Sequence, residues 1–107
     1  MAEREVVDLV RAYLQALPEF GIHPTRGIVY GSFAQGKPNE WSDIDLVVVA
    51  PEFDAPYSID LVKRLWRATG AADDRIEPIP CGELEWETDN GRPILEIARR
   101  EGIEIAA

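Results

Sequence analysis

The seven residues Asp43-Ile-Asp-Leu-Val-Val-Val49 constrain this chain more than any other segment. Leu46 to Val49 is apolar and mostly β-branched, so the run reads as a strand that Ala50-Pro51 ends. Side chains at i and i+2 of a strand share a face, about 6.6–6.8 Å apart along the chain. Asp43 and Asp45 are therefore pushed out side by side, and their carboxylates repel. A hard divalent cation between them removes that repulsion, and Mg²⁺ suits sparse carboxylate ligation completed by substrate phosphates. Alone, the pair does not decide between a cation site and a strand end whose acids face water. The same Asp-x-Asp tripeptide also occurs in glycosyltransferases and in phosphatases with an aspartate nucleophile.

The rest of the chain supplies a small sheet with helices. Val6, Val7, Val10, Tyr13, Leu14 and Leu17 recur at helical spacing and predict a helix over 4–17, stopped by Pro18. Gly27-Ile-Val-Tyr30 predicts a short buried strand, and 31–41 a loop with a helical turn around Phe33 and Ala34. Ser58 is placed as the N-cap of a helix running to about Thr69, with Leu61, Val62, Leu65 and Trp66 on its buried stripe and Gly70 as its stop. Arg75 to Pro80 reads as a short strand whose prolines suit an edge or an early exit. Pro93 suits the first turn of a last helix that Gly102 stops, and Ile103-Glu-Ile105 can add an edge strand. The expected architecture is α/β or α+β: one domain over residues 1–107, a small mixed β-sheet flanked by helices.

The segment between the first two strands sharpens the reading. Gly31-Ser32-Phe33-Ala34-Gln35-Gly36 directly follows Tyr30. Glycine at 31 permits a tight turn at the strand's exit. Ser32 brings a hydroxyl and a backbone N–H to the start of a helical turn, where unpaired N–H groups favour an anion. A Gly-Ser turn capped by its own serine is the plainer alternative. Combined with Asp43 and Asp45, the loop instead forms half of a metal–nucleotide site.

Gly31-Ser32-x-Ala34-x-Gly36, five residues, then Ser42-Asp43-Ile44-Asp45-Leu46 resembles the signature of the DNA polymerase β-type nucleotidyltransferase superfamily. Small size makes the chain most similar to the minimal nucleotidyltransferases, stand-alone catalytic domains often paired with helical HEPN-type proteins. The core match spans about residues 27–49. The resemblance implies a polymerase β-like nucleotidyltransferase fold and two-metal nucleotidyl transfer. Gly31, Ser32, Gly36 and Ser42 would form the nucleotide-binding loop, with Ser32 on the terminal phosphates. Asp43 and Asp45 would bind Mg²⁺, with two ions expected. A third carboxylate on the next core strand would complete the set, and Glu77 is the candidate: if Ile76 is core, Glu77 faces the opposite way. The family often has Asp there, and Glu is one methylene longer. Asp73 and Asp74 fall in the preceding turn and are set aside.

Charge bounds the partners. Twenty Asp and Glu against eleven Lys and Arg give −9, which argues against stable direct nucleic-acid binding and against anionic membranes. The single Cys81 excludes an intrachain disulfide, and one His with one Cys cannot form a His/Cys zinc site. The charged N-terminus lacks a signal-peptide core and no apolar run approaches the roughly 20 residues that span a bilayer, so a cytoplasmic location is expected. Lys37 reads as an exposed loop lysine, His23 as a loop residue and Trp66 as core. Trp41 lies against a base or partner, or packs over the loop. Trp86, amid Glu83, Glu85 and Glu87, can mark a partner contact, and Arg75 can pair with neighbouring acids.

The expected activity is transfer of an NMP, AMP from ATP being the first candidate, to a hydroxyl on a HEPN-type partner, silencing it as an antitoxin. The alternative is a non-catalytic nucleotide- or partner-binding module of the same fold. A glycosyltransferase fragment is disfavoured because the chain is too short for such a catalytic domain. A homo-oligomer stays open.

Overall fold

The computed structural model describes residues 3–31, 43–54, 56–88 and 91–107. Four strands among them, β1 (Arg26–Tyr30), β2 (Ile44–Val49), β3 (Ile76–Cys81) and β4 (Ile103–Ala106), form one mixed sheet in the order β3-β2-β1-β4. β1 runs antiparallel to both β2 and β4, whereas β2 and β3 are parallel. A parallel pair needs a crossover, and α2 (Ile59–Arg67) supplies it. The remaining helices are α1 (Glu3–Ala16), α3 (Glu83–Thr88) and α4 (Pro93–Glu101). Among the described residues no helix is long and apolar enough to cross a membrane.

The continuous Leu46–Val49 run has a direct cause. β2 is an interior strand covered on both faces, so alternation gives way to an unbroken apolar stretch. Ile44, Leu46 and Val48 join Val29, Ile76 and Ile105 under α1, whose Val6, Val10, Tyr13 and Leu14 are buried there, and under Leu65 of α2. Val47 and Val49 join Ile28, Tyr30 and Cys81 under Leu95 and Ala98 of α4. Each such Val, Leu or Ile side chain contributes about 1.5–3 kcal/mol of burial. The Tyr13 hydroxyl donates to the Leu65 carbonyl at 2.6 Å and ties α1 to α2. Ser58 caps α2, its Oγ accepting from the Leu61 N–H.

β3 is an edge strand despite two prolines because their spacing suits it. The Arg75 and Cys81 carbonyls accept from β2's side, so odd-numbered residues of β3 bond inward. Pro78 and Pro80 turn their missing N–H groups to the open edge, where nothing needs them.

Several expectations change. Trp66 is not core: it is 47% exposed. The apolar arc of α2 is wider than the sheet beneath it, which takes Leu65 fully and Leu61 and Val62 in part. Gly70 does not stop that helix, which ends at Arg67 and tightens into a 3-10 turn through Ala71. Pro18 likewise sits inside a 3-10 turn over Leu17–Phe20, and the chain reverses at Gly21. Trp86 is half-buried against the α4 side of the core, with the Arg99 guanidinium 4.8 Å from its ring centre. The short α3 was not expected at all. It is held at its start by Asp54, whose Oδ1 accepts from the Leu84 N–H at 2.7 Å, and at its end by Arg99, which donates to the Glu85 and Trp86 carbonyls.

Candidate active site

Strand periodicity and register place the acids. Ile44 and Ile76 are fully buried, so Asp45 and Glu77, each the next residue, turn to the opposite face of the sheet. The parallel register sets Asp45 beside Glu77, and the antiparallel register sets Tyr30 beside Asp45 on the other side. Tyr30, Asp45 and Glu77 therefore form a row across three strands. Asp43, exposed just before β2, extends it from Asp45's own strand. Helix α4 covers the other end of this face, around Val47, Val49 and Cys81, and leaves the row at the start of β2 and β3.

Gly31 closes the row from the β1 side. Its φ of +76° lies in the left-handed region that side chains avoid, and a Cβ there would run into Asp45 Oδ2. The turn leaving β1 thus packs its backbone directly on the Asp45 carboxylate.

Burial comes first in the electrostatics of the group, and mutual charge adds to it. The Asp45 carboxyl is pushed up from its ordinary range by burial and by the Asp43 charge, against a hydrogen bond from Glu77. The Glu77 carboxyl is raised by burial, by the charges of Asp43 and Asp45, and by its hydrogen bonds to both. The Tyr30 hydroxyl is pushed up to about 12 by burial and then by Asp45 and Glu77, with Arg92 opposing. The three acids line one edge of the sheet, and among the described residues no Lys, Arg or His contributes to the shifts of Asp45 or Glu77.

Residues 10–96 match the family model described as "Nucleotidyltransferase domain". The chain belongs to the nucleotidyltransferase domain family. A search of curated proteins finds no match. Among solved structures, a Sulfolobus solfataricus protein named by inference as a nucleotidyltransferase superposes with a TM-score of 0.64 at 16% identity. That likeness covers 95% of this chain and 80% of the other, and at such identity it is one of fold.

In this nucleotidyltransferase domain the donor chemistry fits a hard divalent cation. The acids offer only carboxylate oxygens, two of them half-buried on rigid strands, where burial first and neighbouring charge second oppose ionisation and a bound dication would favour it. Among the described residues, no three His, Cys, Asp or Glu side chains converge as a ready-made cage. The row is an open edge instead. Ser32, Gly36 and Ser42, like Lys37 and Trp41, lie outside the described residues.

Asp73 serves the fold. Its carboxylate accepts from the Arg75 N–H at 2.9 Å and from the Arg75 guanidinium at 3.0 and 2.8 Å. The side-chain bond from Arg75 leads in holding the Asp73 carboxyl below its usual range. A depressed carboxyl contributes stability that is complete above the unfolded pKa and fades as pH falls through the folded one. The wild type is therefore expected to be more stable than Asp73→Asn near neutrality. Denaturant titrations carried down through the carboxylate range should show that margin shrinking. His23 also has a partner: its N–H and Nδ1 engage the Glu52 carboxylate at 3.0 and 2.7 Å.

Tyr30 within the row, and Arg92 whose charge is felt at Tyr30, carry no signal in the sequence. Tyr30 reads locally as one more apolar strand position, and only the register sets it next to Asp45. Arg92 precedes Pro93 as an ordinary helix flank. In the fold its Nη1 donates to the Pro80 carbonyl and to both Glu85 oxygens, and its charge reaches Tyr30. No spacing signal announces either.

Proposed function

We propose that this domain is a Mg²⁺-dependent enzyme that transfers an NMP, AMP from ATP in the first instance, to a hydroxyl on a HEPN-type helical partner protein. It would act in the cytoplasm as the antitoxin of that pair. The observation that carries the reading is the row of Asp43, Asp45 and Glu77 beside the Gly31 turn, in which burial and crowding raise the Asp45 and Glu77 carboxyls, a cost that a bound dication would relieve.

Magnesium, when bound, supplies Lewis-acid stabilisation of charge on the triphosphate. Asp43 and Asp45 would hold it, with Asp45 fixed in direction by strand β2 and by the Gly31 backbone pressed against it. The turn from Gly31 into Ser32 would carry the terminal phosphates through backbone N–H groups and the serine hydroxyl, with Gly36 and Ser42 in the same loop. Glu77 would face the acceptor side, hold the second ion and orient the incoming hydroxyl. The acceptor oxygen would bond to the α-phosphorus as the bond from that phosphorus to the bridging oxygen breaks, pyrophosphate leaving with that bond's electron pair and the hydroxyl proton passing to solvent. Strands β2 and β3 hold Asp45 and Glu77, so the positioning of these two would be built before substrate arrives.

The test uses the purified chain with labelled ATP and Mg²⁺, with and without the protein encoded next to it. Label is expected on the partner, reduced to background by EDTA, restored by added Mg²⁺ and absent with Asp43→Asn. A chain that binds ATP and Mg²⁺ yet transfers nothing to any partner is the non-catalytic module. The longer Glu77 is the feature that favours that second reading.

A further inference from the structure

Helix α2 turns large apolar side chains to solvent. Ile59 is 70% exposed and Trp66 47% exposed, and at i and i+7 they stand on one side of the helix, two turns apart. Half-buried Val62 borders Trp66 on one flank. Lys63 borders the pair on the other flank, one turn from each, and Arg67 follows Lys63 by a further turn. A single helix thus carries an apolar stripe and a basic stripe side by side.

The charge of this face opposes that of the molecule. On α2 Lys63, Arg64 and Arg67 stand against Asp60 alone, in a chain of net charge −9. Asp60 is taken by Arg64, at 2.7 Å. Among the described residues Lys63 and Arg67 have no ion-pair partner, and at i and i+4 they repel each other. Past Arg67 the face opens into a cleft of about 490 Å³, walled by Arg64, Arg67, Pro18, Glu19, Phe20 and Gly21. A Cβ at Gly21 would come to 3.1 Å from Arg64 Nη1, so Arg64 lies close on that turn. Lys63 and Arg67 are the bases left to meet a partner.

We infer that the outward face of α2 docks a helix of another protein, one whose apolar stripe is flanked by Asp or Glu. Trp and Arg are the residue types that most often anchor protein interfaces, and here they stand with an aliphatic neighbour. The apolar stripe of the partner covers Ile59 and Trp66, and its acidic flank meets Lys63 and Arg67. Charge decides against the other occupants. Two copies joined α2 to α2 would set Lys63 and Arg67 against their own equivalents. A nucleic acid or an anionic membrane presents an extended negative surface to an already negative chain. A helix with a few acids presents its charge only where the bases are. α2 packs through Leu65 on the α1 side of the sheet, whereas Asp45 and Glu77 face the other way. A partner held there leaves the acidic row open, so this inference stands apart from the proposed chemistry.

The probes are two labelled, helix-forming peptides with the same leucine stripe, one flanked by Glu and the other by Gln, titrated into the full chain by fluorescence anisotropy. The wild type is expected to bind the Glu peptide the more tightly, by a margin that shrinks as salt rises. Overall charge opposes that preference, so it can come only from a local basic face. Lys63→Glu/Arg67→Glu should weaken the Glu peptide roughly tenfold or more, because like charges then meet. The Gln peptide should hold its affinity for this variant, which also shows that the variant folds; Lys63→Glu alone carries the same comparison if it does not. Ile59→Ser/Trp66→Ser should lose both peptides while the circular dichroism stays that of the wild type. Equal affinity of the wild type for the two peptides, or a Glu preference that survives the charge exchange, overturns the proposal. So does tighter binding, through Lys63 and Arg67, of phosphatidylglycerol vesicles, of an RNA oligonucleotide or of a second copy of the chain.

Discussion

Asp45→Asn is expected to lower nucleotidyl transfer about a thousandfold while the folded chain becomes no less stable. The magnitude follows from what a bound dication contributes: several kcal/mol of charge stabilisation, at about 1.4 kcal/mol per decade of rate. The stability half rests on the direction of the shift. The Asp45 carboxyl is raised by burial and by Asp43, so folding opposes its ionisation. A raised carboxyl costs nothing below its unfolded pKa and becomes unfavourable as pH rises through the folded one. At neutral pH the neutral amide removes that cost, and metal-free thermal denaturation should place the variant level with the wild type or above it. Loss of transfer together with a clear loss of stability would mean that Asp45 is a structural group, and the site would have to be sought elsewhere.

Gly31→Ala should separate the two roles of the turn. At φ +76° an alanine carries backbone strain of about 1–2 kcal/mol. Its Cβ also meets Asp45 Oδ2, which is the free end of a side chain and can rotate away without disturbing the sheet. The stability cost therefore stays near the strain alone. Catalysis suffers more, because displacing a positioned group by about 1 Å can cost roughly a hundredfold. In an Asp45→Ala background the carboxylate is already gone, so adding Gly31→Ala should take off no further rate while still costing its strain. That non-additivity in rate, with additivity in stability, is the signature of a turn that acts through Asp45. Equal rates for Gly31→Ala and the wild type would detach the turn from the acids.

The local elements were largely legible because they depend on neighbours in sequence. The α1 stripe, the Ser58 cap, the start of α4 at Pro93 and the edge prolines of β3 each act within a few residues. The opposed facing of Ile76 and Glu77 needs only the two-residue period of a strand. Trp66 escaped because helical spacing gives the direction of a side chain, while the width of the surface under the helix is set by the sheet. The helix α3 escaped because its ends are secured by Asp54 and Arg99, thirty and fourteen positions away from the groups they hold.

The candidate site divides along the same line. Asp43 and Asp45 share a face by covalent geometry alone, and the glycine that the Gly31 turn demands is written into the chain. The sequence by itself thus determined which residue types stand at the strand ends and which way each must point. Only the tertiary structure decided that Asp45 is flanked by Glu77 and Tyr30, that Gly31 packs its backbone on the Asp45 carboxylate, and that the charge of Arg92, from the residue before α4, is felt at Tyr30. Those neighbours follow from strand order and register, which emerge from how apolar faces are shared between helices and sheet over the whole chain. A periodic pattern within one segment carries no information about which other segment will lie beside it.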